Sequence, residues 1–428
     1  MRTLALFLLL IPLADAQTAS IQLEEANAPG TLLQATLDMK LSGRMNLDRN
    51  GSVEAVPLEA TGKHAYTERI DGTAKALRLY AEASSTTVAG VDRGTRTLSK
   101  ERRLIVAQRN LNSLCPWSPA GPLTQDDLSL VAEHFDTLSL PGLLPNKAVA
   151  VNDTWPIQDA TVGALCSFDG IIKHSLAGKM TELGEKSAIF TVEGTAEGVE
   201  NGAKVKLTVT AKGTFDIVAK RIVSLTWEQT DDREAGPISP AMEAKVTVTV
   251  TRNTVAESPA EFAVKLPEIA TADLLGVLYR QPNGAFELAY DRNWHPVVQT
   301  ESHLVLRLVT NSELIAQATI APWKKADPAV PADELHKEFI DATAKQPGWV
   351  PEKVLASAAG TGNATAKLFS HTVLGKQDGL PVQQSFYVLT AADGRRVILS
   401  VTVRVEQAET LGTQDATLAN AILFPAPK

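Results

Sequence analysis

The stretch from Lys204 to Arg252 constrains the fold more than any other part of the chain. Val205, Leu207 and Val209 alternate with Lys206, Thr208 and Thr210, and near its end Val246, Val248 and Val250 alternate with Thr247, Thr249 and Thr251. Between them runs Gly213-Thr-Phe-Asp-Ile-Val-Ala-Lys-Arg-Ile-Val-Ser-Leu-Thr-Trp227. A period of two sends one set of side chains to a core and the other to water, so these are strands of an antiparallel sheet with one wet face. Phe215, Leu225 and Trp227 fall on the inward set and are the candidate ligand-lining residues.

The same pattern extends to both sides. Leu33–Leu47 and Val53–Tyr66 are strand candidates joined at Asp48-Arg-Asn-Gly51, where Asn-Gly supplies the positive φ that a tight hairpin needs. Ala76–Thr87 and Thr95–Asn110 continue the meander, although the alanine-rich start of the former leaves helix and strand both open. Ser187–Gly194, Lys204–Ala211, Thr214–Ile217, Ile222–Gln229 and Met242–Arg252 complete the first sheet. Between them, Leu111–Phe168 reads as a helical insert. Thr124 with Asp127 approximates a capping box, and Leu128, Val131, Phe135 and Leu138 follow at helical spacing. Leu140-Pro-Gly-Leu-Leu-Pro145 ends that helix, and a second one runs near Asp159–Phe168.

A chain of 428 residues is long for one core, so the expected division is a segment 1–16, a β-rich unit 17–256, a linker 257–282 and a second unit 283–428. The second unit shows strands at Ala285–Tyr290, Leu304–Val309, Leu314–Ile320, Leu368–Leu374, Pro381–Thr390 and Arg396–Val405. Asp333 opens a helix with Leu335, Phe339 and Ala342 on one face, and a closing helix spans Gln414–Leu423. The fold class expected is α+β: a curved, half-barrel-like antiparallel sheet with a helical insert, followed by an α/β sandwich with an antiparallel sheet.

Residues 1–16 read as a secretory signal: Arg2, an apolar run Leu4–Leu13, then Ala14-Asp15-Ala16 before Gln17. The run is short for a membrane span, so a cleaved segment is favoured over a retained anchor, and no later segment reads as a spanning helix. The expected location is exported, periplasmic or extracellular. There, Cys115 and Cys166 either pair as a disulfide or stay as two separate buried thiols, and the oxidising compartment favours the pair. The formal charge of −8, with 44% hydrophobic and 21% charged residues, describes a folded soluble chain without a basic run, which argues against nucleic acid as a partner.

No G-x-S-x-G, S-x-x-K, H-E-x-x-H or phosphate loop is present, so no catalytic residue, cofactor or metal is assigned. Four weaker features bear on binding. Asn46–Val53 mimics the start of a calcium loop, but Pro57 stands where a bidentate glutamate is needed. His295, His303, His336 and His371 share the second unit without paired spacing. Asp231-Asp232-Arg233-Glu234 reads as a solvated turn in preference to a cation site. Trp227, Trp294, Trp323 and Trp349 suit a core or an interface better than a cleft.

Two resemblances add to this. "FELAYDRNW", "LIAQATI", "QQSFYVLTAADGRRVILSVTV" and a final helix make the last third similar to the PsbP-like and DcrB-like fold, which implies accessory, assembly or binding roles. The first unit, with "PGLLPNKAVAVNDTWPI" and "LTWEQTDDREAGPISPA", looks like a group of exported bacterial proteins of unassigned function. Its strand pattern and compartment also resemble the lipoprotein-carrier β-fold, which implies shielding of apolar ligands. Together they give an exported, non-catalytic cell-envelope protein that binds an apolar small molecule, a lipid or an envelope protein partner. The alternatives are a pocketless scaffold and a hydrolase of unrecognised geometry.

Overall fold

The computed structural model describes residues 19–426, apart from 50, 111–112, 133–134 and 328–329. The signal segment expected at 1–16 lies outside the described residues.

Antiparallel strands dominate: 59% of the described residues are strand and 15% helix. This corrects the expected α+β class. The longest α-helix, Ala332–Thr343, has only 12 residues. The largest sheet has thirteen strands, and its main path runs Thr154–Pro156, Ala177–Leu183, Ser187–Glu200, Ala203–Asp216, Arg221–Arg233, Ala241–Thr254, Leu32–Arg49, Ser52–Gly72, Lys75–Ala89, Leu104–Asn110 and Ser113–Trp117. The path is open and closes into no barrel. The expected helical insert is also corrected. Residues 111–168 contribute two of the sheet's strands, Ser113–Trp117 at one end of the path and Thr154–Pro156 at the other.

Alternation explains the sheet. In Ala203–Asp216 every second residue is buried, from Ala203 through Val205, Leu207 and Val209 to Phe215. β-Branched and threonine-rich runs fit such a half-buried pleat. The hairpin at Asp48–Gly51 forms as expected: Arg49 faces Ser52, Gly51 takes φ +81°, and its N–H donates to Asp48 Oδ1 at 2.9 Å. Gly213 lies mid-strand because Phe190 fills the space where its side chain would be. A Cβ there would sit 2.3 Å from Phe190 Cζ, and Phe190 is fully buried. Gly213→Ala should therefore destabilise by about 1–3 kcal/mol through overpacking. A denaturation midpoint equal to the parent's would show that the ring has room to move.

The short elements between Leu123 and Leu165 lie on the sheet's apolar face. Helix Gln125–Ala132 starts with a true reciprocal cap: Asp127 N–H donates to Thr124 Oγ1 at 3.1 Å, and Thr124 N–H donates to Asp127 Oδ2 at 3.2 Å. The helix is described to Ala132, residues 133–134 lie outside the described residues, and Phe135 and Asp136 are not helical, so it does not reach the expected Leu138. Asp136 then accepts from Leu138 N–H at 3.0 Å and opens the 3-10 turn Thr137–Leu143. Leu130, Val131, Phe135, Leu140, Leu143, Val162 and Leu165 close the core over Leu37, Val209, Leu225, Trp227 and Val250.

A second sheet has seven strands in the order Trp294–Gln299, Leu304–Thr310, Glu313–Trp323, Arg396–Arg404, Leu380–Ala391, Ala366–Gln377 and Trp349–Asn363. Helix Ala332–Thr343 lays Phe339 against Phe369, Phe386 and Val388 on one face. Pro331, not Asp333, holds the cap position, and Ala342 is exposed while Thr343 is buried. The closing helix is shorter than expected, Gln414–Asn420, and is followed by the strand Ile422–Leu423. Trp349–Asn363 is an exposed edge with three register breaks, the kind of bulging that discourages further strand addition.

The stretch 257–282 is packed. Phe262, 3% exposed, joins Leu77, Val106 and Trp117 on the other face of the large sheet. Val277–Arg280 pairs with Glu287–Tyr290 and, in parallel, with Leu123–Thr124.

Candidate functional site

A cavity of about 940 Å³ lies between the apolar face of the large sheet and the first strand of the second sheet. Its floor spans four neighbouring strands, in which Arg221–Arg233 lies between the others and sets Arg233 beside Val205 and Asp231 beside Leu207. Met39 and Leu41 come from Leu32–Arg49, Val246 and Val248 from Ala241–Thr254, and Val205 and Leu207 from Ala203–Asp216. Leu128, Ala132 and Phe135 form one wall, Leu165 and Cys166 another. His295, Pro296, Val297 and Val298 of Trp294–Gln299 cover it.

One strand carries the cavity from apolar to polar. Along Arg221–Arg233, residues 225, 227, 229, 231 and 233 share the inner face, reading Leu, Trp, Gln, Asp, Arg. Trp227 Nε1 donates to Gln229 Oε1 at 2.8 Å, which turns the Gln229 amide nitrogen toward Asp231. Gln229 Nε2 then donates to both carboxylate oxygens of Asp231, at 2.9 and 3.2 Å. Asp231 is only 6% exposed. Burial raises its pKa from 3.8 to about 6, against the opposing pull of the Gln229 hydrogen bonds and Arg233. Burial and the nearby Asp231 push the Cys166 thiol up to about 12, so it stays a thiol and is a poor nucleophile.

The cations of the lining are engaged. Arg233 pairs with Glu200, and Arg96 pairs with Asp126 at 2.7 Å. Arg292 donates to Leu275 O and Pro116 O, both at 2.7 Å, and lies 3.4 Å from Cys115 Sγ. Burial lowers the pKa of His295, favouring its neutral form.

The expected site residues sit elsewhere. Phe215, Leu225 and Trp227 are inward-facing, each 1% exposed, but they belong to the close-packed part of the core and do not line the cavity. Trp227 stacks on Phe135, with ring centroids 5.3 Å apart, and reaches the site only through Gln229. Cys115 and Cys166 are both free, so the expected bridge is not formed in this structure. Asp231 belongs to a strand and not to the solvated turn read from the charge run. Among the described residues no group of three or more His, Cys, Asp or Glu side chains could hold a metal ion. His336 stacks on Phe369 at 4.0 Å, and His303 contacts Thr300 in a turn, so the histidines lie in separate surroundings. In the calcium-like turn, Asn50 lies outside the described residues.

The site thus defines a class, a β protein with a cavity between its two large sheets, whose floor sets leucine, valine and methionine beside Gln229, Asp231 and Arg233. No protein-family model matches the chain, and no curated protein matches it. Among solved structures, the chain is similar to cyanobacterial PsbP (CyanoP) from Synechocystis sp. PCC 6803, at 11% identity and a TM-score of 0.29, over 38% of this chain and 99% of that one. It is similar to the protein PA94 from Pseudomonas aeruginosa at 15% identity and a TM-score of 0.25, over 36% of this chain and 99% of that one. It is also similar to lipovitellin at 8% identity and a TM-score of 0.31, over 55% of this chain and 26% of that one. The PsbP-like overlap is confined to that minor share of the chain, and the lipoprotein-carrier resemblance finds no support here. The functional reading rests on this chain's own residues.

Proposed function

We propose that this is an exported, non-catalytic protein of the cell envelope that holds an apolar ligand in the cavity between its two large sheets. The observation that carries this reading is the floor of Met39, Leu41, Val205, Leu207, Val246 and Val248 beneath about 940 Å³ of open volume. That size lies within the roughly 300–1,000 Å³ of ordinary small-molecule sites. Binding there removes apolar area from water on both partners, which supplies affinity without any reacting group. The high pKa of the Cys166 thiol suits holding better than nucleophilic chemistry.

The test is native mass spectrometry of the protein purified from its own host, beside a cavity-filling variant. The parent should carry a lipid-like adduct. Leu207→Trp should lose it, with at least a tenfold drop in affinity for a fluorescent long-chain probe and a retained far-UV circular dichroism spectrum. A parent that carries no adduct and binds no apolar probe would end this reading.

A further inference from the structure

We propose that the head of this ligand is a cation, an ammonium group on a hydrocarbon chain, seated against the Asp231 carboxylate. The inference rests on the cavity being the binding site and adds the chemistry of its polar end.

Asp231 is a buried acid whose charge is only partly offset, by the Gln229 amide and by Arg233 acting through space. Among the described residues it makes no ion pair, and its side-chain hydrogen bonds come from one neutral amide, Gln229. A buried carboxylate without a counterion is costly, and the usual relief is a proton or a cation. The groups facing it do not supply one. Arg233 on the same strand is paired with Glu200 of the neighbouring region. Cys166, at the end of the helix Asp159–Leu165, offers a thiol. Arg292 and Arg96 are held by carbonyls and by Asp126, and His295 of the covering strand is disfavoured as a cation by burial. Asp169, also in the lining, adds a second acid and accepts from the Asn201 backbone N–H.

The acid is also held in position. Trp227 orients Gln229, and Gln229 presents its amide nitrogen to both carboxylate oxygens. These bonds fix the carboxylate beside the apolar floor. An ammonium at this end would place its chain over Leu207, Val246 and Val248, with Gln229 as the polar neighbour on the strand between them. The juxtaposition of acid and floor fits a molecule that carries both properties.

The experiment is isothermal titration of the full mature chain, below micellar concentration, with three dodecyl probes: the trimethylammonium, the alcohol and the carboxylate. The ammonium should bind at least tenfold more tightly than the other two in the parent, and Asp231→Asn should bring it down to the affinity of the alcohol. A further arm offers phosphatidylethanolamine vesicles. Transfer of that lipid to the protein assigns the head to a membrane lipid, whereas binding of the dodecyl trimethylammonium alone assigns it to a soluble amphiphile. If the alcohol binds as tightly as the ammonium, or if Asp231→Asn keeps the preference, the cationic head is wrong while the cavity stands. If none of the three binds, the cavity reading itself falls. The parent's preference is read without any variant, so a misfolded substitution leaves the inference testable.

Discussion

Replacing Arg78 with methionine should lower the unfolding free energy by about 3–5 kcal/mol, the usual consequence of breaking a buried ion pair from one side. Arg78 is 0% exposed. Its Nε donates to Glu68 Oε1 at 2.7 Å, its second arm donates to Thr137 Oγ1 at 3.1 Å, and Asp136 lies at 3.5 Å. The guanidinium also stands over the Tyr66 ring at 5.1 Å. Methionine matches the stem but leaves Glu68 as an isolated charge beneath the sheet. Asp136 fares better, because Arg109 and the Leu138 N–H still hold it. The double variant Glu68→Leu with Arg78→Met should recover most of the loss. Urea midpoints measure both effects. A single variant within about 1 kcal/mol of the parent would mean that water reaches Glu68 and the network is not closed. The same network ties the 3-10 turn Thr137–Leu143 to the sheet. Phe135, which walls the cavity, stands just before it, so Arg78→Met should also weaken ligand binding.

Asp231→Asn should act in the opposite direction, stabilising the free protein by on the order of 2–3 kcal/mol at pH 8 and not at all near pH 3. Its carboxyl rises from 3.8 to about 6 on folding because burial disfavours the charge. Below pH 4 the group is protonated whether the chain is folded or not, and it contributes nothing relative to asparagine. Between about 4 and 6 the folded chain keeps a proton that the unfolded chain releases, so stability falls as pH rises. Above 6 the full penalty is present. His64 runs the other way. Burial lowers its pKa from 6.5 to about 4, so its contribution is complete above 6.5 and is lost as pH falls toward 4. Subtracting variant from parent at each pH isolates Asp231, and the variant alone should show the His64 limb. A variant no more stable than the parent at pH 8 would mean that Asp231 is solvated or already paired. An acid kept at a stability cost is the pattern expected of a site selected for binding.

The long strands were legible because valine, leucine and threonine at period two leave no competing arrangement. Ala241–Thr254 lies within two residues of the expected Met242–Arg252, whereas Ala203–Asp216 is one strand running through Gly213 where the glycine reads as a break between Lys204–Ala211 and Thr214–Ile217. The helical insert was misread because Ser113–Trp117 and Thr154–Pro156 are too short to show a period, and their pairing depends on strands far away in sequence. Trp349–Asn363 was missed for another reason. Ala356-Ser-Ala-Ala-Gly-Thr-Gly362 has no alternation, since nearly the whole strand is exposed. A period of two assigns Phe215, Leu225 and Trp227 to the inward face but does not tell where that face is packed and where it is open. All three do point inward, but core side chains fill the space beside them. Continuing the period from Leu225 through Trp227 leads to Gln229 and Asp231, and only the run of charge made Asp231 look like a turn. The cysteine pair was inferred from compartment, which says nothing about distance.

The pairing of Ala241–Thr254 with Leu32–Arg49 sets an order of assembly. The hairpins before residue 117 and those after residue 177 can each form as soon as they are made, but the seam between them waits for the later partner. Leu123 and Thr124 wait longer still, for Val277 and Leu278. Until then the apolar floor has no cover, and the newborn chain presents to its surroundings a surface that the finished protein shields. A nascent chain in that condition is expected to depend on holding factors during passage to its compartment, and truncation anywhere before residue 277 should yield insoluble material.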